Sequence, residues 1–317
     1  MDYKKILKLI IKNKYRMTDK LYYFESIHWH IRNYEALQLM GFKPWNRETD
    51  GILVVNHYRD GLEAMKQHSK VIIGPGIDFM EAINLFKNIN SETMVNFKQP
   101  QIIYNVLSPW QLKLFEKYAY NPYVVYKSLP FSIDTESYKP AEIKENCFII
   151  YIKDRHPLRV QANLREIFSN EKLMKNYTYR IFVYGQYTES DIKEYTSKCK
   201  FGIIIGRHES QGYFVLSCLS LQTPVLVDSV SLMQQEYCKG GFIWKNLPFQ
   251  APAKTMSYFD ENCGMITYFS FKQEDINTFV NNVEMGKYNP RQFIVENLSV
   301  GVCVERFRDV FTNVECV

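Results

Sequence analysis

The chain contains no Asp-x-Asp pair anywhere, so it lacks the clustered carboxylates by which a hard divalent cation is held. It has no Gly-x-x-x-x-Gly-Lys-Ser/Thr loop, no Gly-x-Gly-x-x-Gly turn after a strand and no Gly-x-Ser-x-Gly elbow, which leaves ATPase, dehydrogenase and hydrolase readings without a basis. Cys147, Cys199, Cys218, Cys238, Cys263, Cys303 and Cys316 form no Cys-x-x-Cys pair and have no histidine at metal spacing. Several lie in apolar runs, where cysteine acts as a small hydrophobe, and the pattern suits a reducing compartment. No apolar stretch reaches the roughly 18 to 20 residues a bilayer requires, and "MDYKKILKLIIKNKYR" lacks the long uncharged centre of a signal peptide. The expectation is a cytoplasmic protein. Neither sign of charge dominates, with 39 Lys and Arg against 34 Asp and Glu. A formal net charge of +5 with a pI of about 8.6 suits an anionic ligand such as a nucleotide and falls short of a dedicated nucleic-acid surface.

What is present is ordinary globular material. The 317 residues are 46% hydrophobic and 23% charged, enough for two domains, each with its own core. The 23 tyrosines, 21 phenylalanines and 4 tryptophans suit strands and core filling as readily as a sugar- or base-facing surface. In residues 1–16, Lys4, Lys5, Lys8, Lys12 and Lys14 alternate with Ile6, Leu7, Leu9, Ile10 and Ile11. That pattern gives either a basic amphipathic helix able to lie on an anionic membrane, or a helix packed on its domain with the lysines in water.

Strands and helices alternate along the chain. "GILVVNHY" (51–58), "KVIIGPG" (70–76), "QIIYNV" (101–106) and "YVVYKSL" (123–129) read as strands, separated by helical patterns in "DGLEAMKQH", "DFMEAINLFKNI" and "SPWQLKLFEKYA". After the polar link "PFSIDTESYKPAEIKEN" the alternation restarts with strands "CFIIYI", "YRIFVYG", "KFGIIIG" and "PVLVD". This order predicts an α/β chain of two Rossmann-like domains facing a cleft, the first over 1–135 and the second over 136–285. Chemistry is then expected in the loops beyond the carboxyl ends of the strands.

One such loop is "GRHESQG", residues 206–212. Gly206 closes a strand, and Gly212 opens a helix whose free N–H groups suit phosphate oxygens. Ser210 can cap or donate, and Glu209 can accept hydrogen bonds from sugar hydroxyls. An anion cradle beside a hydroxyl acceptor describes a nucleotide-sugar. The stretch "GRHESQGYFVLSCLSLQTPVLVDS" resembles the donor-binding signature of retaining, family 4 type (group 1) glycosyltransferases of the GT-B fold. "VIIGPGID", "NVLSPWQLKLFEKY", "SLPFSIDTESYKP" and "NPRQFIVENLSV" resemble further pieces of that family in the expected order, so that the likeness runs over residues 70–310. The family's second glutamate, eight positions after the first, is Ser217 here, able to make only a neutral hydrogen bond.

The resemblance implies a metal-independent transferase, needing no cofactor, that moves a sugar from a UDP- or GDP-linked donor to a hydroxyl of a glycan, lipid-linked or protein-linked acceptor, with retention. It implies that Glu209 orients the donor sugar, and that Lys153 and Arg155 in "YIKDRHPLR" hold the diphosphate, with Arg159 also on offer. Arg207, His208, Ser210, Gln211, Gly212, Ser217 and Gly185 shape the donor pocket in this reading; His57, facing the same cleft, is a further catalytic candidate, Gly74, Pro75 and Gly76 lie on the acceptor side, and helices over 286–317 return to the first domain. Each assignment has a plainer counterpart: a solvated basic loop, a glutamate at its own helix N-terminus, surface histidines. A non-catalytic glycan- or nucleotide-binding protein on the same fold is the alternative, and a nucleic-acid-directed transferase the minor one.

Overall fold

The computed structural model describes residues 20–26, 29–76, 79–153, 155–237, 241 and 244–312. The basic segment 1–16, and with it the membrane-contact reading, lies outside them. The chain divides into two compact units. The first takes residues 1–107, 115–132 and 300–317, the second 108–114 and 133–299.

The first unit holds β1 (Leu21–Tyr23), α1 (Ile31–Leu39), β2 (Lys43–Pro44), β3 (Ile52–Val55), α2 (Tyr58–Met65), β4 (Val71–Ile73), α3 (Phe79–Lys87), α4 (Ser91–Met94), β5 (Ile102–Asn105) and β6 (Val124–Lys127). All pairings are parallel, in the order β2-β1-β3-β4-β5-β6. The sequence reading starts this sheet at residue 51; the structure starts it at Leu21. Three-residue β1 and two-residue β2 are too short to show a period, which is why pattern alone misses them. By contrast "ILVV", "VII" and "IIYN" are buried throughout, as expected for parallel strands covered on both faces.

In the second unit β7 (Glu145–Ile152), α6 (Pro157–Phe168), α7 (Glu171–Asn176), β8 (Thr178–Val183), α8 (Glu189–Asp191), β9 (Cys199–Ile205), α9 (Tyr213–Ser220), β10 (Val225–Asp228), β11 (Gly264–Thr267), α10 (Gln273–Glu284) and α11 (Pro290–Leu298) follow one another. Preceding them in the chain, α5 (Pro109–Tyr118) gives its first residues to this unit and its last to the first unit. The five strands are parallel in the order β11-β10-β9-β7-β8. The core gathers Phe148, Ile150, Phe201, Ile203 and Leu226 of the sheet with Ile167, Ile276 and Phe279 of the helices. Strand β8 departs from the two-sided burial its apolar letters suggest: it is an edge, and only Phe182 is buried in it. The last helix, α12 (Val300–Thr312), belongs to the first unit.

Both sheets have the 2-1-3-4-5 type of order, in which the winding reverses between the first and third strands. That reversal opens a crevice at the carboxyl ends of those two strands. It lies between β7 and β9 in the second unit, and between β1 and β3 in the first. Among the described residues, Cys147, Cys199, Cys218, Cys263 and Cys303 are buried and free, as expected of cysteines in apolar runs.

Candidate functional site

The β7/β9 crevice brings together residues 56 positions apart. Lys153 follows β7 and is fixed by its backbone N–H to the Ile205 carbonyl at 2.9 Å, which extends the β7–β9 ladder by one bond. Its Nζ lies 2.8 Å from both Oε1 and Oε2 of Glu209, and both side chains are nearly buried, at 11% and 12% exposure. The same ammonium sits 4.4 Å from the centre of the Tyr184 ring. In a low-dielectric setting such a two-pronged pair is well above the strength of a surface ion pair.

The 206–212 loop is held from several sides. The Glu209 N–H donates to the Lys254 carbonyl at 3.0 Å, and the Glu209 carbonyl accepts from Trp110 Nε1 at 3.0 Å and from Ser257 Oγ. The Trp110 ring meets His208 edge-on, with centroids 5.5 Å apart. The His208 backbone N–H donates to Glu236 Oε1 at 2.7 Å, and the His208 Nδ1 bonds the same oxygen. Glu236 has no exposure, and its other oxygen accepts from Trp244 Nε1 at 3.1 Å. Gly212 stands at φ +82° as the N-cap of α9, where a Cβ would meet the Glu209 Cβ at 3.3 Å. Glycine is thus required by both dihedral and space. Gln211 and Ser217 are buried, Ser217 in the stretch of α9 from Phe214 to Ser220 that is buried throughout.

Arg155 is directed elsewhere. Its Nη2 is 3.3 Å from Asp228 Oδ2, at the end of β10, and Arg159 grips the same carboxylate with Nε at 2.9 Å and Nη2 at 2.5 Å. Asn163 Nδ2 adds a bond to Oδ2 at 2.7 Å, and Arg159 Nη2 also reaches the Tyr268 carbonyl at 2.6 Å. Burial draws the Arg155 guanidinium below its ordinary pKa, with Asp228 opposing that shift. Among the described residues its buried Nη1 has no hydrogen-bond partner. Below the loop, Tyr151 stacks on Phe214 with centroids 3.9 Å apart, and burial pushes the phenols of Tyr151 and Tyr187 above their usual range. These tyrosines therefore act as neutral hydrogen-bonding groups at neutral pH.

Gly185 is an exposed turn residue at φ +75° just beyond β8. In the first unit, His57 is the N-cap of α2, half-buried at the end of β3. The Gly74 N–H donates to the Val55 carbonyl at 2.8 Å and the Gly76 N–H to the Asn56 carbonyl at 3.1 Å; His57 and the Gly74-Pro75-Gly76 turn thus share the ends of two neighbouring strands. Sequence reasoning did not single out Asp228, Glu236, Trp110 or Tyr184. Asp228 had a signal, an acid closing an apolar strand opposite a basic loop. Glu236 and Trp110 had none, being distant in sequence from the loop they brace.

Two solved glycosyltransferases share this fold. The pneumococcal O-GlcNAc transferase GtfA, solved in complex with UDP and GlcNAc, matches over 90% of this chain with a TM-score of 0.50 at 10% identity. A glycosyltransferase from Rickettsia africae matches over 89% with a TM-score of 0.50 at 11% identity. The chain spans 60% of the length of the first and 79% of the second. No family model matches the chain, and no curated protein matches it in sequence. Among the described residues no helix is long and apolar enough to cross a membrane.

Proposed function

We propose that the chain is a glycosyltransferase that binds a nucleoside diphosphate sugar, UDP- or GDP-linked, at the β7/β9 crevice and transfers the sugar with retention, without a metal, to a hydroxyl of a glycan, lipid-linked or protein-linked acceptor. The observation that carries this reading is the nearly buried Lys153–Glu209 pair beside the Gly212 opening of α9. A carboxylate already neutralised by an ammonium keeps lone pairs for sugar hydroxyls without repelling a diphosphate. Lys153, Arg155 and Arg159 place three cations at the strand ends, set against the carboxylates of Glu209, Asp228 and Glu236. Fixed positive charge of this kind stabilises the diphosphate as negative charge develops on it. The leaving phosphate oxygen takes the acceptor proton, so no protein nucleophile is needed.

In this reading the donor domain is 136–285 and the acceptor domain 1–135, with His57 and Gly74 to Gly76 on the acceptor side; of the helices over 286–317, α12 goes with the first unit and α11 stays with the second. Arg207, His208, Ser210, Gln211, Gly212, Ser217 and Gly185 line the donor. UDP is the first nucleotide to test, because it is the one in the pneumococcal structure. Thermal unfolding with UDP-glucose, UDP-galactose, UDP-N-acetylglucosamine and GDP-mannose should single out one donor, since a ligand at 100 times its Kd adds about 2.7 kcal/mol of stability. Glu209→Ala should lower turnover far more than UDP affinity, whereas Lys153→Ala should weaken UDP itself by about 1.5–3 kcal/mol. Stabilisation by no donor, or a fully active Glu209→Ala, refutes the reading.

A further inference from the structure

The first unit has its own crevice at the equivalent reversal of its sheet, between β1 and β3. Phe24 follows β1 and prolongs its ladder, its N–H donating to the Val54 carbonyl at 2.9 Å; Trp45 follows β2 and does the same to the Tyr23 carbonyl at 2.9 Å. The two half-buried rings lie 6.1 Å apart, tilted by 39°. The Trp45 indole N–H is tied to the Glu48 carbonyl at 2.7 Å, which fixes its plane. Together with Glu25, Arg47 and the α2-side residues Asp60 and Gln67 they line a cavity of about 430 Å³, within the usual size range of small-molecule sites.

We infer that this cavity is a binding site for a neutral pyranose. Two aromatic faces suit the apolar C–H face of a sugar ring. The polar lining mixes acceptors (the Glu25 and Asp60 carboxylates), a donor (the Arg47 guanidinium) and an amide that is both (Gln67), the set that vicinal hydroxyls satisfy. Among the described residues, Glu25, Asp60 and Arg47 take part in no ion pair, while Glu63 at the rim is engaged with Lys66 at 2.7 Å. The two acids and the guanidinium therefore line one cavity without pairing with each other, and a cationic ligand would have to share it with Arg47. Rings with acids alone would suit an organic ammonium; Arg47 favours the uncharged polyol.

The site does not rest on the donor reading, because its readout is binding alone. Titration calorimetry of the full chain with glucose, galactose and N-acetylglucosamine should show saturable millimolar binding of at least one. Trp45→Ala and Asp60→Asn should each weaken it about tenfold, the loss of one aromatic contact or one charged acceptor, and Trp45→Phe should restore most of the affinity. Should Trp45→Ala not fold, Asp60→Asn and Gln67→Ala decide, both altering solvent-facing groups. UDP titrated into the same variants should bind as to the parent chain; failure of UDP alone sinks the donor reading and leaves this one standing. Binding of none of the three sugars, sugar binding indifferent to these substitutions, or spermidine binding abolished by Asp60→Asn overturns the inference.

Discussion

Asp228 has no exposure and accepts hydrogen bonds from Arg155, Arg159 and Asn163. Alanine in its place would strand the Arg155 guanidinium, itself only 4% exposed, and unpaired buried charge of this kind costs about 3–5 kcal/mol. Urea unfolding of Asp228→Ala should show that loss; an unchanged midpoint would mean Arg155 finds water or another acceptor. Lys144 allows a pH test. Its Nζ donates to the Leu221 carbonyl at 2.8 Å and to Thr223 Oγ1 at 3.1 Å, and burial draws its pKa from 10.5 to about 8. Between those two values the unfolded chain binds the proton that the folded chain has released, so stability rises with pH through that window and the penalty is fully present below it. Relative to Lys144→Met, the parent chain should gain up to about 1.4 kcal/mol per pH unit there, read from unfolding midpoints across the window. At this scale Glu209 was legible in the sequence because a strand, a loop and a glycine frame it within seven letters. Lys153 was legible as a basic residue beyond a strand, but its pairing with Glu209 was not, since ion pairing across neighbouring strands leaves no spacing in the chain.

The runs that become β3, β4, β5, β7, β9 and β10 announce themselves as β-branched and apolar, and they are buried as such. Edges are less readable. The letters of β8 match those of a central strand, yet Tyr179, Ile181 and Val183 are exposed, because position in the sheet is set by topology and not by composition. β11 escaped notice for a related reason: "GMIT" is half-buried and opens on a glycine at φ +137°. The loop-to-helix junction at Gly212 is where element and site meet. Gly212→Ala would force an L-residue into the left-handed region at about 1–2 kcal/mol and press on the Glu209 Cβ. The expected result is a lower unfolding midpoint together with weakened donor binding. If only stability falls, the cradle tolerates the shift and Gly212 is a fold residue alone.

The whole molecule is not assembled in chain order. The first unit is completed by α12, whose Phe307 has no exposure, stacks on Phe131 at 5.9 Å and meets Phe42 edge-on at 5.5 Å. Phe307→Ala should cost about 3–5 kcal/mol, and limited proteolysis should then cut first within residues 20–107 and leave the second unit intact; equal loss of both units would contradict that division. On a ribosome the consequence runs against the common pattern of domains finishing in the order they are made. Residues 20–132 emerge first but lack their closing helix until 300–312 have been translated, whereas the second unit has all its strands and helices by residue 299. The half synthesised later is therefore the half that can fold sooner, and the earlier half waits with the apolar surface around Phe42 and Phe131 uncovered, the interval in which a chaperone would find it.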